Sequence, residues 1–297
     1  MEIKFLVNRF CDYATHFRGN SPATIKRYHF VANTFIKMMG VEEIEQVNKD
    51  NIREFFFRGR TERNWKSSTF ISCHNTLKVF FEWCIKEGRM RGPNPTDDTE
   101  QPKLERRLPL KLSKQDSMRL LEVVYNYPHV SKFTRYRNQA IFATYIFAGL
   151  RKKELLKLTY TDVDLENMSI FVRQGKGAKD RVVPICTRLA DILLQYLVER
   201  KRLRKTCPEF FTSLTFNSGF TDHGLKHLVE QTRKISKIDF GIHKLRHTFA
   251  TLMLEGGCDI YSLSKMMGHS DIKTTTIYLA ANIEHLRGQI TKHPLNS

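Results

Sequence analysis

Side chains scattered between residues 151 and 278 carry the chemistry in this sequence. Arg151 stands in AGLRKKEL, Lys176 in QGKGAKDR, and His243 and Arg246 open HKLRHTFATLMLEGG. GHSDIKTTTIYL then supplies His269 and Tyr278. A phenol with a pKa near 10 is a poor nucleophile. It becomes effective when cations hold an anionic electrophile against it. Two arginines, a lysine and two histidines converging on one tyrosine describe a site for a phosphodiester.

Each group has a role and a blander alternative. A guanidinium fork donates two parallel hydrogen bonds to phosphate oxygens, which suits Arg151 and Arg246, although a lone arginine after a helix stop is often a solvated turn. Glu154, one turn beyond Arg151, can pair with it or orient a neighbouring cation; beside a phosphate it is badly placed as a base. Lys176 lies in a two-glycine turn, where it can reach a leaving oxygen as a general acid. Lys179 and Arg181 are near competitors, and the residues alone leave Lys176 and Lys179 open. Lys152, Lys179, Arg181 and Lys244 are expected to touch DNA backbone phosphates. His243 and Arg246 share one helical face. His247, four residues after His243, raises a metal site, but no third ligand or carboxylate stands at suitable spacing, so no metal is expected. His269 follows Gly268 at a helix end. Tyr278 could be a core residue of an amphipathic helix. The threonine-rich, β-branched run before it is a mediocre helix former and favours a mobile segment that docks into a site.

Jointly these groups fit one reaction. Tyr278 attacks the phosphorus and forms a 3′-phosphotyrosyl link. Arg151 and Arg246 clamp the non-bridging oxygens, His243 and His269 add donors, and one histidine takes the phenolic proton. Lys176 protonates the departing 5′ oxygen. The bond energy stays in the covalent link, so no ATP, metal or other cofactor is required.

The elements that position these groups are mostly helices. The first hundred residues read as four: 3–17; from the Ser21-Pro22 cap to Met39; a short one from Asn48 or Asp50, closed by Gly59; and one from Ser67 or Ser68 to Gly88. Residues 91–109 hold four prolines without apolar periodicity and read as a linker. Helices are expected at 113–126, at 133–149 and directly after Gly149. Two strands at 168–173 and 181–185 should form a hairpin around QGKGAKD. Helices at 187–205 and 221–236 should flank a short strand, SLTF. Further helices are expected at 243–255, 259–267, 271–280 and 282–290. The expected fold is mainly α: a four-helix DNA-binding domain over 1–92, a linker over 93–110, an α-rich catalytic domain with a small antiparallel sheet over 111–281, and a C-terminal helix and tail over 282–297.

Composition points the same way. The 297 residues carry a formal charge of +18, and 41% hydrophobic content builds real cores. That excess implies a polyanionic partner, and most of it lies beyond residue 100. The six cysteines are scattered with no Cys-x-x-Cys pair, which argues against zinc or a disulfide framework and for buried thiols in the cytoplasm. No apolar stretch is long enough to span a bilayer.

These motifs together resemble the tyrosine recombinase (phage integrase) family, and most closely its short Xer-type members. The family signature Arg…Lys…His-x-x-Arg…His…Tyr falls on Arg151, Lys176, His243, Arg246, His269 and Tyr278. AGLRKKELLKLTYTDVD, GKGAKDRVVPI, IYSLSKMMGHSDIKTTTIY and PKLERRLP support it. The resemblance favours Lys176 over Lys179 and matches Glu154 to the family's acidic position. It implies a SAM-like core-binding domain and a catalytic domain clamped around double-stranded DNA at an inverted-repeat site. It also implies a homotetramer on two sites, exchange through a Holliday junction, and docking of Asn282–Ile290 on a neighbouring subunit. The chain begins directly at the core-binding bundle, which argues for simple sites with few accessory elements, and whether an accessory DNA-binding protein or partner recombinase takes part stays open. A type IB topoisomerase or a non-catalytic DNA-binding factor are the competing readings. Chromosome-dimer resolution, element integration or excision, and inversion are equally open tasks.

Overall fold

A computed structural model describes residues 1–104, 110–173, 180–269 and 271–279. The chain divides into two compact units, Met1–Arg106 and Arg107–Ser297.

The first unit is a helical bundle of α1 (Ile3–His16), α2 (Pro22–Met39), α3 (Lys49–Thr61) and α4 (Ser67–Lys86), with a single 3₁₀ turn at Ile44–Gln46. Local rules set the ends. Ser21 accepts from the Thr24 amide ahead of Pro22, and Gly40 closes α2 at φ 65. Asn48 caps α3 by accepting from the Asp50 and Asn51 amides. The helix runs through Gly59 instead of stopping there, because that residue is where the Trp65 ring lies against α3. Lys66, not a serine, occupies the N-cap of α4. Phe10, Phe35, Phe55, Phe80 and Phe81 are fully buried and form the core.

The proline-rich segment expected as a linker is anchored over its first half. Asn94 Nδ2 donates to the Lys78 carbonyl, and its Oδ1 accepts from Thr96. His74 on α4 donates through Nε2 to the Thr96 carbonyl at 3.0 Å and accepts through Nδ1 from Gln101 at 2.9 Å. These are buried polar bonds from irregular backbone, so hydrophobic periodicity carries no trace of them.

The second unit is built on α6 (Lys132–Ala148). It is buried on nearly every face because Ala140, Ile141, Phe142, Ala143 and Ile146 leave no polar stripe. Around it pack α5 (Lys114–Asn126), α8 (Thr187–Arg202) and α10 (Ile242–Glu255). The short α7 (Lys152–Lys157) follows Gly149, and α9 (Asp222–Ser236), α11 (Ile260–Met267) and α12 (Lys273–Leu279) complete the helices described. The sheet has the order β1 (Val163–Asp164), β2 (Ser169–Val172), β3 (Arg181–Pro184), all antiparallel. The two-residue β1 was not expected, being too short for a period-2 signal. SLTF is not a strand; isolated bridges join Thr159 to Glu209 and Thr212 to Gly219 around it. The expected helix over 282–290 lies outside the described residues.

Among the described residues no helix is long and apolar enough to cross a membrane. Likewise, no group of His, Cys, Asp and Glu among them could hold a metal ion.

Candidate active site

Register decides where the first cation goes. Arg181 opens β3 opposite Val172 of β2, and Val183 lies opposite Ile170. Cross-strand partners share a face. Val172, Val183 and Ile170 are buried, so Arg181 points inward with them. Its side chain is 9% exposed. Nη1 and Nη2 donate to the two carboxylate oxygens of Glu154 at 2.9 and 2.8 Å, and Nε donates to the Met266 carbonyl at 2.8 Å. Arg181 is expected on DNA, but all three of its guanidinium nitrogens donate to protein acceptors. The alternation of inward Arg181 and Val183 with exposed Val182 was the signal that could have found this.

Arg151 is the N-cap of α7, and Glu154 sits at the third helical position. The Glu154 carboxylate accepts from the Arg151 amide and from its Nη1, both at 2.7 Å. It therefore pairs with Arg151 and orients a neighbouring cation at once. Burial alone would raise the pKa of Glu154. Hydrogen bonds and charge from Arg181, with those from Arg151, overcome it and hold the group at about 2.

Arg246 rises from α10 and is 7% exposed. Its Nη1 donates to the carbonyl of Gly149, which ends α6 at φ 60. A Cβ on Gly149 would stand 2.2 Å from the Phe249 ring, so both backbone and space require glycine there. Nη2 of Arg246 donates to the Met267 carbonyl at 2.5 Å and lies 3.3 Å from His269 Nε2. Burial first, then the Arg151 and Arg181 charges, lowers the Arg246 pKa to about 10, which leaves it protonated at neutral pH. Nη2 of Arg151 donates to the next carbonyl, Gly268, at 2.6 Å.

The end of α11 is thus a socket for cations. Met266, Met267 and Gly268 present consecutive carbonyls to Arg181, Arg246 and Arg151 respectively. A helix C-terminus carries partial negative charge and suits them. Among the described residues, Glu154 is the one carboxylate paired with any of these guanidiniums, and it takes Arg151 and Arg181. Three cations against one anion leave an uncompensated positive charge at the floor of an open cleft of about 430 Å³. Arg151, Lys152, Lys153, His243, Arg246 and His269 line it. Such a cleft attracts a doubly liganded anion such as a backbone phosphate.

His243 is exposed and faces the cleft. His269 Nδ1 lies 2.7 Å from Thr275 Oγ1, which ties α12 to the α11 end. Lys152 pairs with Asp222 at 2.7 Å while lining the cleft, and Lys244 donates to the Asp239 carbonyl. Lys176 and Lys179 lie outside the described residues.

Tyr278 differs from the expectation of a mobile segment. It is 2% exposed, packed with Phe249, Leu254, Leu263 and Met267. Leu263 and Met267 of α11 and Phe249 and Leu254 of α10 supply the apolar wall, and tertiary packing overrides weak helix propensity. Its hydroxyl is 2.7 Å from His247 Nδ1. Burial raises the pKa of Tyr278, so the phenol keeps its proton. Burial, then the charges of His243 and Arg246, lowers that of His247, so the imidazole is neutral and able to accept. His247, considered above as a metal ligand, is the residue that sequence reasoning missed here. Nothing in its spacing points to Tyr278.

Residues 111–285 match the phage integrase family, and residues 6–88 match the N-terminal SAM-like domain of phage integrases. The chain belongs to the phage integrase (tyrosine recombinase) family. It is 31% identical to the tyrosine recombinase XerC of Thermodesulfovibrio yellowstonii, across 99% of this chain and 97% of that protein. It is also 31% identical to XerA of Thermococcus kodakarensis, across 91% and 88%. A crystal structure of XerA recombinase aligns with a TM-score of 0.54 at 27% identity, covering 97% of this chain and 98% of that one. The post-cleavage complex of the XerH site-specific recombinase with palindromic difH substrate gives 0.76 at 21% identity, covering 96% and 83%. That likeness is one of fold. The chain is therefore an enzyme of the tyrosine recombinase type, close to its Xer-type members.

Proposed function

We propose that this tyrosine recombinase cuts and rejoins double-stranded DNA at a specific inverted-repeat site, using Tyr278 as nucleophile. The phenolic oxygen forms a bond to the scissile phosphorus as the bond from phosphorus to the 5′ oxygen breaks. The phenolic proton passes to a histidine of the site, and Lys176 supplies a proton to the departing 5′ oxygen. Arg151 and Arg246 hold the non-bridging oxygens as charge builds on them. His243 and His269 add donors, with Lys152 and Lys244 on the flanking backbone. A second 5′ hydroxyl reverses the step and seals the strand. Four protomers on two sites exchange strands in pairs through a Holliday junction. The bundle Met1–Arg106 contributes sequence-independent and base contacts to each half-site, and the segment after Tyr278 docks on a neighbouring protomer.

The observation that carries this reading is the adjacent seating of Arg151 and Arg246 on neighbouring carbonyls, with one carboxylate, paired to Arg151 and Arg181, for three guanidiniums. A phosphodiester, with two non-bridging oxygens and one negative charge, offsets part of the positive charge left there.

Duplexes selected by binding from a randomised pool, placed twice on one plasmid, test the function. With EDTA present and no nucleotide, the expected products are inverted or excised recombinants. Relaxed plasmid without recombinants would point to a topoisomerase-like activity, and retention of the input plasmid to a binding factor.

A further inference from the structure

We infer that Arg181 is a positioning residue for strand cleavage: it fixes Glu154 and the Met266–Gly268 turn, and through them the spacing of Arg151 and Arg246, without touching DNA. The inference rests on the function proposed above. All three guanidinium nitrogens of Arg181 are engaged by protein oxygens, two on Glu154 and one on Met266. Its planar group also lies against Gly268. A Cβ at Gly268 would come within 3.0 Å of Arg181 Cδ and Nη1, and Gly268 has φ +63.

Those neighbours and the turn they belong to seat both cleft arginines. Glu154 binds the Arg151 amide and Nη1, Gly268 accepts from Arg151 Nη2, and Met267, between the two Arg181 contacts, accepts from Arg246. The path from Arg181 to Arg151 thus passes through one residue, and that to Arg246 through the Met266–Met267 backbone. By taking one hydrogen bond on each Glu154 oxygen, Arg181 also keeps that carboxylate from closing as a full fork onto Arg151 and drawing it out of the cleft. A lysine preserves the charge but offers no planar fork, so it cannot hold both oxygens and the Met266 carbonyl together.

The experiment is single-turnover cleavage of a nicked suicide duplex by wild type, Arg181→Lys and Gly268→Ala, with DNA affinity measured over a range of salt. Arg181→Lys should slow covalent-adduct formation by about 10- to 100-fold, the usual cost of losing a supporting partner. Its affinity, salt slope and final adduct yield should match wild type. Gly268→Ala, which removes no charge but displaces Arg181, should slow the same step. A DNA contact by Arg181 would instead weaken binding and flatten the salt slope by about one, and that result overturns the inference. A reduced yield at unchanged rate signals loss of folded protein alone and overturns it as well. If the wild type forms no adduct, the proposed function fails and takes this inference with it. A wild-type adduct with an unslowed Arg181→Lys overturns only the role of Arg181.

Discussion

Arg151 and Arg246 donate to successive backbone carbonyls, Gly268 at 2.6 Å and Met267 at 2.5 Å. Residues nearly a hundred positions apart are thereby held side by side at the end of one helix, α11. Two guanidiniums at that separation repel each other, and the arrangement persists because helix-end carbonyls and Glu154 offset the repulsion. The same balance leaves room for an added anion.

Removing one fork should therefore act on the reaction more than on folding. Arg151→Lys and Arg246→Lys are each expected to slow adduct formation about a hundredfold or more, roughly 3 kcal/mol of transition-state stabilisation. Rapid-quench cleavage of a saturating duplex measures this. Rates within a few-fold of wild type would contradict a clamp role.

Glu154 ties acid stability to the site. Its folded pKa, about 2, is depressed from 4.5. The stabilisation is complete above 4.5 and is lost as pH falls towards 2, an amount on the order of 3 kcal/mol. Glu154→Gln should be much less stable than wild type at pH 7, and the gap should narrow between pH 4.5 and 2. Urea midpoints at pH 7, 4 and 2.5 measure it; parallel profiles would contradict the pairing.

The bond between His247 Nδ1 and the Tyr278 hydroxyl is partly buried. His247→Leu should destabilise the second unit by about 1–3 kcal/mol, the cost of stranding a buried hydroxyl. Adding Tyr278→Phe should recover part of that loss, since no polar atom is then left without a partner. Additive losses in chemical denaturation would show that the two residues do not interact.

Much of this architecture was readable in advance, for identifiable reasons. Ser21-Pro22, Gly40 and Gly149 set helix ends by local geometry, and local geometry is written in adjacent residues. The Arg151, His243, Arg246 and His269 gathering was legible because the motifs stand in order along the chain. What stayed hidden depended on partners distant in sequence. The inward turn of Arg181 follows from strand register, the anchoring of Asn94 and Thr96 from buried hydrogen bonds to α4, and the burial of Tyr278 from walls supplied by α10 and α11. A threonine-rich run looks mobile when only its own propensity is weighed.

In the proposed reaction Tyr278 becomes bonded to DNA through a phosphate held by Arg151 and Arg246. A nicked suicide duplex releases the short strand beyond the cut and traps that bond, and proteolysis with mass spectrometry locates it. The expected product is a nucleotide-bearing peptide containing Tyr278, formed in EDTA and absent from Tyr278→Phe. An adduct on another residue, or an undiminished one from Tyr278→Phe, would contradict it.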